Sequence, residues 1–283
     1  MKRVSLGAVT MRAAIDALTQ ALRDGLDPEA DPPRSIADTP AGQILMMPSS
    51  TTRYAGIKVV TVTPGHDPRI QGVYLLLDGE SLKPVALLDG IALTSLRTPA
   101  VSAVAVDRLA RPGPQRLVVF GKGPQARGHV AAMRAIRPIS HVDMLGRGDD
   151  VSPVREADIV CCCTTAREPL FDSALLKGTA TVVAIGSHEP SAREVDAALV
   201  RRATVVVESR TTAQREAGDL IQAEILAGVQ AGPRALTNLA ELVRGDLTVA
   251  PDQPRLFKST GMAWEDLVVA ALAYDTASGL GWP

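Results

Sequence analysis

The segment 117–126 restricts what this chain can fold into more than any other part of the sequence. It begins with Leu-Val-Val-Phe, a continuous apolar run that is typical of a buried parallel strand. Glycines follow at positions 121 and 123, and a helical pattern occupies 127–136. Strand, glycine turn and helix in this order fit G-x-G-x-x-A, in which the start of the helix binds a pyrophosphate. The segment therefore predicts a dinucleotide site in a parallel α/β sheet.

Each residue of the glycine turn has a separate predicted role. Gly121 makes the tight turn, and Gly123 lets the backbone approach the pyrophosphate. Ala126 lets the helix pack close to the sheet, while free N–H groups and the positive end of the helix dipole hold the anion. The alternative is a strand-to-helix turn of the same shape that binds no ligand.

Apolar strands and helices alternate after this turn as far as residue 257. The alternation predicts a Rossmann-type, doubly wound sheet of the α/β class over 110–257. Helical patterns lie within it at 191–200 and 220–227, whereas 146–157 holds only a loop and at most a turn. This domain is expected to bind the dinucleotide.

The remaining residues predict a second domain, of α+β type. Short strands between 43 and 88 are separated by turn residues, which indicates an antiparallel meander. The segment 89–110 has a helical pattern, but Pro99 within it indicates a break or two successive helices. With an apolar helix predicted over 262–278, residues 1–109 and 258–283 are expected to form this domain.

Composition and charge exclude several function classes. The apolar fraction of 46% and the charged fraction of 22% are ordinary for a soluble protein. A net charge of −1 and an aromatic content of 3% give no basis for nucleic-acid binding. Lys2 and Arg3 precede an amphipathic pattern rather than a signal sequence, and no apolar stretch approaches the ~20 residues of a membrane span.

Three adjacent cysteines, Cys161, Cys162 and Cys163, lie in one predicted strand. Neighbouring strand residues point to opposite faces, so these thiols are poorly placed for a disulfide or a metal cage. We interpret them as small strand residues in a reducing compartment and expect a cytoplasmic protein. The histidines and carboxylates also lack the spacing of a zinc site, so no metal is expected.

Three cations stand out in the first half of the chain. Arg34 follows two prolines, Lys58 lies in the apolar strand Ile-Lys-Val-Val, and Arg97 lies near the middle of the 89–110 helix. Lysine is rarely buried without a partner, so a lysine in such a strand is notable. From the pattern alone, Lys58 is either a functional group or a residue on the solvent face of an edge strand.

Six motifs occur in order along the chain: MMPS at 46–49, GIKV at 56–59, LRTPAVS at 96–102, GKGPQA at 121–126, EAGD at 216–219 and FKSTG at 257–261. Together they resemble the ornithine cyclodeaminase/mu-crystallin family from about residue 10 to Gly281. The resemblance implies a Rossmann-type domain, a substrate domain that dimerises, and NAD(P) chemistry on amino acids or cyclic imino acids. The chain is thus expected to be a homodimeric oxidoreductase with a small-molecule partner.

The resemblance also implies roles for individual residues. Arg34, Lys58 and Arg97 match the positions that bind the substrate carboxylate. Two arginines satisfy both carboxylate oxygens, and their charges would lower the pKa of Lys58 toward a value useful for proton transfer. We expect Lys58 to orient the substrate and to supply or relay a proton to the imine nitrogen. The residues expected to contact the cofactor are Thr98, Gly121, Gly123, Pro124, Gln125, Ala126, Arg147 and Gly261.

The sequence departs from the cyclodeaminases of this family at His188, in Ile-Gly-Ser-His-Glu-Pro. An aspartate stands there in those enzymes and can hold a distal ammonium, for which histidine is a poor partner. Gly-Ser-His-x-Pro is similar to members that reduce Δ1-pyrroline-2-carboxylate or Δ1-piperideine-2-carboxylate to L-proline or L-pipecolate. His188 is expected to donate a proton or to close the site through water, and the alternative is a histidine without chemistry. Glu189 could replace the lost carboxylate, so deamination stays open.

A second departure is the short segment 146–157. The family usually has a longer helix and a further strand here, so the adenosine end of the cofactor site is expected to be more open.

Arg147 follows the second strand of the domain, where an arginine accepts the 2′-phosphate of NADP and an acidic residue binds the ribose of NAD. Asp149 and Asp150 lie close by in sequence. We expect NADPH, with NADH as the alternative.

The leading interpretation is NAD(P)H-dependent reduction of a cyclic ketimine. One alternative is an NAD-dependent ornithine cyclodeaminase or amino-acid dehydrogenase. Another, from a different class, is a non-catalytic binding protein like mu-crystallin. The intact set of Arg34, Lys58 and Arg97 favours retained chemistry.

Overall fold

The computed structural model describes residues 1–224 and 236–279. Its strands are β1 (Lys2–Arg3), β2 (Ser35–Thr39), β3 (Gly42–Ser50), β4 (Tyr54–Val62), β5 (Ile70–Asp78), β6 (Pro84–Asp89), β7 (Gln115–Phe120), β8 (Ile139–Leu145), β9 (Ile159–Cys162), β10 (Thr181–Ala184), β11 (Thr204–Val207), β12 (Thr237–Asn238) and β13 (Arg255–Lys258). Its α-helices are α1 (Met11–Arg23), α2 (Gly90–Leu109), α3 (Pro124–Ile136), α4 (Ala197–Arg202), α5 (Arg210–Glu216), α6 (Gly218–Ile221), α7 (Leu239–Arg244) and α8 (Ala263–Ser278).

The chain divides into two compact units. The first unit comprises Met1–Ala21, Ala30–Thr98 and Met262–Pro283. The second comprises Leu22–Glu29 and Pro99–Gly261. Each unit contains one sheet, and each is described below by itself.

The sheet of the first unit has six strands in the order β1-β6-β5-β4-β3-β2. Neighbouring strands from β2 to β6 run antiparallel, which confirms the predicted meander, and β1 adds to β6 in parallel. Side chains alternate between the two faces, as the period of a strand requires. The inner face contains the buried Met47, Tyr74 and Leu76 and packs against α8.

The outer face of this sheet is aliphatic and only partly covered. Val59 pairs with Val73, which is 45% exposed, and Ile57 pairs with Leu75. A sheet with one solvated face normally carries polar residues there. The outer face, defined here as Met46, Pro48, Ile57, Val59, Val73, Leu75, Leu77, Val85 and Leu87, departs from that rule.

Helix α2 continues through Pro99, so the prediction of a break or of two helices is wrong. Proline within a helix costs about 3 kcal/mol, mainly through a lost hydrogen bond and a clash. The residues that follow it, among them Val101, Val104 and Val106, are fully buried. Because burial of each such side chain contributes about 1.5–3 kcal/mol, packing outweighs the local penalty.

The sheet of the second unit has seven parallel strands in the order β12-β11-β13-β10-β9-β7-β8. This confirms the predicted α/β class with a Rossmann-type parallel sheet. The chain leaves β7 for β8 on one side and then returns to β9 on the other, which makes a switch point at the carboxyl end of β7. Strand β13 lies between β10 and β11 and was not predicted as a strand.

Two helical predictions in the second unit are wrong in extent. The pattern over 191–200 becomes a helix only at 197–202, because the Asp196 side chain caps the N–H of Leu199 and starts α4 there. The pattern over 220–227 gives α6, which ends at Ile221, and its last residues lie outside the described part. Within 146–157 the structure has a single 3-10 helix, Ser152–Glu156.

The cysteines occupy the centre of the second sheet. Cys161 and Cys162 belong to β9 and are buried, Cys163 follows at the strand end, and all three are free thiols. The interpretation as small buried strand residues is confirmed for Cys161 and Cys162, whereas Cys163 lies beyond the strand and is only partly buried. Over the described residues, none of the helices combines the length and the apolar composition of a membrane span.

Candidate functional site

Lys58 and Arg97 meet at one buried carboxylate in the first unit. Lys58 lies mid-strand in β4, is 2% exposed, and places its Nζ 2.6 Å from Asp266 Oδ2. Arg97, on α2, donates from Nε to Asp266 Oδ1 at 3.1 Å and from Nη1 to Glu265 Oε2 at 2.5 Å. The alternative reading of Lys58 as a solvent-facing residue on an edge strand is wrong, because β4 is an inner strand of the sheet.

Sequence reasoning missed the carboxylates of this cluster. Glu265 and Asp266 begin α8, an otherwise apolar helix, and both are fully buried. Acids at 0% exposure are rare unless they are paired. The signal was therefore present as two adjacent acids inside a predicted apolar helix, but the sequence does not reveal their partners.

A third carboxyl group, Asp31, fixes the segment that carries Arg34. Asp31 accepts hydrogen bonds from Ser49 Oγ and from the Trp264 N–H, both at 2.6 Å. Burial raises the pKa of Asp31 to about 6, the two hydrogen bonds oppose this shift, and the charge of Asp266 adds to it. Arg34 follows three residues later, directly before β2, and is partly exposed.

Burial and the charge of Arg97 lower the pKa of Lys58 to about 8, although the Asp266 and Glu265 carboxylates oppose this shift. The lowered pKa agrees with the expected direction. Its cause differs in part, since loss of solvation is the largest contribution. A lysine with a pKa near 8 exchanges its proton readily close to neutral pH.

Tyr74 completes the inner face beside Lys58. The two residues are opposite each other on β5 and β4, and Tyr74 is fully buried. Its hydroxyl lies over Gly56, where an added Cβ would be only 2.2 Å from Oη. Among the described residues that hydroxyl has no hydrogen-bond partner. Burial and the charges of Asp266 and Asp31 raise its pKa well above the ordinary value.

The glycine turn of the second unit has the geometry that a dinucleotide needs. Gly121 has φ +109°, and a Cβ there would lie 2.6 Å from the Cys163 carbonyl oxygen. Gly123 caps α3, Pro124 occupies its first turn, and a Cβ on Gly123 would meet no atom within 4 Å. Ala126 is buried beneath the turn. The space above Gly123 and the uncapped start of α3 fit a pyrophosphate.

The loop after β8 exposes Arg147. Asp149 Oδ2 accepts the Gly146 N–H at 2.8 Å and lies 2.8 Å from Lys122 Nζ. Hydrogen bonds from Lys122 and Gly146 lower the pKa of Asp149. Asp149, one of the two acids beside Arg147 in sequence, is thus already paired with a cation. The Arg147 side chain is exposed to solvent.

His188 lies just beyond β10, at the carboxyl edge of the parallel sheet, and is exposed. Its neighbour Glu189 forms an ion pair with Arg167 at 2.9 Å. His129 is instead buried between the Gln125 carbonyl and Ser102 Oγ, and burial lowers its pKa to about 4. Both ring nitrogens of His129 thus have partners within the second unit.

Two further predicted cofactor residues lie in different units. Thr98 is a buried residue of α2 in the first unit. Gly261, in the second unit, has φ +81° and donates its N–H to Glu208 Oε2 at 2.9 Å. Within 1–224 and 236–279, no cluster of three or more His, Cys, Asp or Glu side chains is arranged to hold a metal ion.

Comparison with known proteins places these geometries in a family. A family model described as the ornithine cyclodeaminase/mu-crystallin family matches residues 4–153 and 148–280. A Δ1-pyrroline-2-carboxylate reductase of Bacillus cereus is 33% identical over 265 residues, which covers 82% of this chain and 81% of that protein. The ketimine reductase mu-crystallin of Mus musculus is 33% identical over 244 residues, covering 78% of this chain and 75% of that protein.

Solved structures agree with the sequence comparison. The Δ1-pyrroline-2-carboxylate reductase of Thermococcus litoralis, in complex with NADH and L-proline, matches with a TM-score of 0.88 at 26% identity over 100% of both chains. An archaeal alanine dehydrogenase dimer with bound NAD matches with a TM-score of 0.85 at 25% identity. That match covers 100% of this chain and 98% of the other.

The two glycines of the turn are expected to respond differently to alanine. Gly121→Ala places a side chain at positive φ and against a backbone carbonyl, so we expect the unfolding free energy to fall by about 2 kcal/mol. Gly123→Ala meets no neighbour, so the melting temperature of the free protein should stay within about 2 °C of wild type. NADPH affinity of Gly123→Ala should nevertheless fall about tenfold, which is 1.4 kcal/mol.

Thermal unfolding and fluorescence titration with NADPH measure both quantities. A Gly123→Ala variant that binds NADPH as tightly as wild type would contradict the placement of the pyrophosphate over this residue.

Proposed function

Because the chain belongs to the ornithine cyclodeaminase/mu-crystallin family, we propose that it reduces a cyclic ketimine carboxylate with hydride from NAD(P)H. The substrate class is Δ1-pyrroline-2-carboxylate or Δ1-piperideine-2-carboxylate, and the product is L-proline or L-pipecolate. The observation that carries the proposal is the buried contact of Lys58 and Arg97 at Asp266. It combines a proton donor with a carboxylate-binding cation. The names of the relatives support the substrate class.

The reaction needs one hydride and one proton. When bound at the glycine turn, NAD(P)H supplies the hydride that adds to the ring carbon of the C=N bond. The nitrogen then takes a proton, so the imine becomes a secondary amine. Lys58, with a pKa of about 8, is largely protonated at neutral pH and supplies that proton.

The substrate carboxylate requires charged donors in a site that excludes water. Arg34 and Arg97 are assigned to this carboxylate, and each charge-assisted hydrogen bond contributes about 1.5–3 kcal/mol. His188 is assigned a different role. It serves either as an auxiliary proton donor to the imine or as a group that closes the site through water. Deamination through Glu189, whose exposed carboxylate forms an ion pair with Arg167, is the alternative that the assay with ornithine tests.

The direct test is a comparison of two substrates. Wild-type protein mixed with NADPH and Δ1-pyrroline-2-carboxylate should consume NADPH, followed by absorbance, and should yield L-proline. Ornithine with NAD should release no ammonia. Ammonia release without net NADH formation would identify a cyclodeaminase instead, and tight NADPH binding without turnover of either imino acid would identify a binding protein.

The pH dependence of kcat/KM should report the protonation state of Lys58. Protonated Lys58 is the active form, so kcat/KM should fall above a pKa of about 8. Asp266→Asn removes a carboxylate that raises this pKa, so the alkaline limb should move to lower pH. Lys58→Met should lose at least about 10²-fold in kcat while NADPH affinity changes little, because general acid catalysis contributes 10²–10⁴-fold.

Asp31→Asn is the matched control for that profile. The Asp31 carboxylate belongs to the same unit but accepts hydrogen bonds from Ser49 and Trp264 rather than from Lys58. The alkaline limb of the Asp31→Asn profile should therefore stay near that of wild type. An unchanged turnover number in Lys58→Met, or an alkaline limb that moves upward in Asp266→Asn, would overturn the assignment of Lys58.

NADPH is proposed as the preferred cofactor because Arg147 is exposed at the end of β8 while Asp149 is engaged by Lys122. Arg147→Ala should raise the KM for NADPH about tenfold or more, since a charge-assisted bond to the 2′-phosphate is lost. The KM for NADH should not change. Arg155→Ala, at an exposed arginine of the following 3-10 helix, serves as the control. Equal effects on both cofactors would contradict this preference.

A homodimer is proposed from the aliphatic outer face of the first sheet. A second copy would cover residues such as Val73, which is 45% exposed. The archaeal alanine dehydrogenase, which is a dimer, supports an assembly of two copies. Val73→Asp should therefore yield monomer in sedimentation velocity, whereas Leu82→Asp, at a turn residue that is 60% exposed, should not. A wild-type protein that sediments as a monomer would refute the dimer.

A further inference from the structure

Asp219 in the motif EAGD at 216–219 and Lys258 in the motif FKSTG at 257–261 have no part in the chemistry described so far. In the second unit they meet in an ion pair. Lys258, the last residue of β13, places its Nζ 2.8 Å from Asp219 Oδ2, and neither side chain is exposed to solvent. Two charges in a fully buried place call for a reason, because removing each from water costs several kcal/mol.

The pair connects directly to the loop that carries His188. Lys258 Nζ also donates to the carbonyl oxygen of Ser187 at 2.8 Å. Ser187 immediately precedes His188, so the lysine holds the peptide group from which the histidine extends. This bond is directional, and an aliphatic side chain of equal length would not make it.

Glu194 holds the same loop from a second direction. Its Oε2 accepts the Gly186 N–H at 2.6 Å, and its Oε1 accepts the Thr164 N–H at 2.9 Å and the Thr164 hydroxyl at 2.7 Å. Asp219 Oδ1 in turn accepts the N–H groups of Glu194 at 2.6 Å and Val195 at 3.0 Å. Lys258, Asp219 and Glu194 therefore form one connected group, which we name the loop clamp.

The glycines around the loop clamp indicate how closely the backbone is packed. A Cβ on Gly186 would lie 1.9 Å from the Thr164 carbonyl oxygen and 2.4 Å from Glu194 Oε1. A Cβ on Gly218 would lie 2.1 Å from the Ala192 carbonyl oxygen and 2.4 Å from that of Glu189. The loop thus passes between backbone groups with no room for a side chain, and its course is fixed on both sides of His188.

A buried ion pair is weak evidence for stability, since apolar residues of similar volume often stabilise a fold equally well. Beyond stability, the hydrogen bonds of the loop clamp fix the direction of the backbone at 186–188. We infer that Lys258, Asp219 and Glu194 are positioning residues that fix the loop 186–188 and so orient His188 for the reaction. This inference rests on the proposed function, in which His188 assists protonation or closes the site.

The test uses the double variant K258M/D219N of the full chain. Met retains most of the lysine stem, and Asn retains the oxygen that accepts the N–H groups of Glu194 and Val195. Only the charges and the bond to Ser187 are removed. We expect kcat for Δ1-pyrroline-2-carboxylate to fall at least tenfold while NADPH affinity stays within twofold. Amide hydrogen exchange of the free protein should accelerate in the segment 186–188.

The control is K177M/D158N in the same unit, an ion pair that is partly exposed rather than buried. Lys177 Nζ lies 2.7 Å from Asp158 Oδ1, and Asp158 Oδ2 accepts the Arg116 N–H at 2.9 Å. The control thus removes an ion pair of similar length and retains the backbone acceptor, away from the loop of His188. Its kcat and the exchange of 186–188 should match those of wild type.

A double-mutant cycle separates positioning from general loss of stability. If the loop clamp acts through His188, then K258M/D219N should lower kcat less than twofold further in the His188→Asn background. Multiplicative effects, or wild-type kcat in K258M/D219N, would overturn the inference. Glu194→Gln, which weakens the hold on Gly186 and Thr164 alone, provides the same test should the double variant fold poorly.

Failure of the proposed function has a different signature. Wild-type protein that turns over no ketimine would refute the function, yet the exchange of 186–188 in the free protein would still report on the loop clamp. Active wild-type protein with unaltered exchange in both K258M/D219N and Glu194→Gln would refute the loop clamp alone.

Discussion

The carboxylate of Asp266, held between Lys58 and Arg97, is the interaction on which the first unit depends. It joins the start of α8 to the middle of β4 and to α2. Each of these ions loses solvation on burial, which costs several kcal/mol even after relaxation. The arrangement is tolerated because every charge has a counter-charge within 3.1 Å. Removal of any one member would leave a buried charge without compensation.

The second unit also contains a buried ion pair, Lys258 with Asp219. Lys258 ends the fully buried strand β13, and Asp219 lies at the start of α6. The next residue after Lys258, Ser259, donates to Glu208 at 2.6 Å, and Glu208 also accepts the N–H groups of Thr260 and Gly261. In both units, paired charged residues are thus fully or nearly fully buried within helices and strands. Such violations of a local pattern concentrate where a protein acts rather than where it only folds.

The predictable parts of the fold were the local ones. The glycine turn was predictable because strand, glycines and helix are adjacent, and the meander because its turns lie between its strands. Strand β13 was not, since Arg255 and Lys258 at its ends conceal a buried strand. Lys58 was identified as notable, but its partner Asp266 lies 208 residues away in sequence, at a distance where no periodicity applies. The prediction of a helix break at Pro99 was wrong because tertiary packing of the following residues outweighs the local penalty of a proline.

The charge balance of the first unit constrains how it can receive an acidic substrate. Lys58 and Arg97 carry two positive charges, and Glu265 and Asp266 already match them. A substrate carboxylate bound here, as we propose, therefore enters a cluster in which these four charges already cancel. The segment that begins at Asp31 contains both means of restoring balance. Arg34 brings a third cation, and Asp31, whose pKa is raised to about 6, loses its negative charge on taking up a proton. If this unit binds the substrate carboxylate as we propose, substrate affinity depends on the 31–34 segment as well as on Lys58 and Arg97.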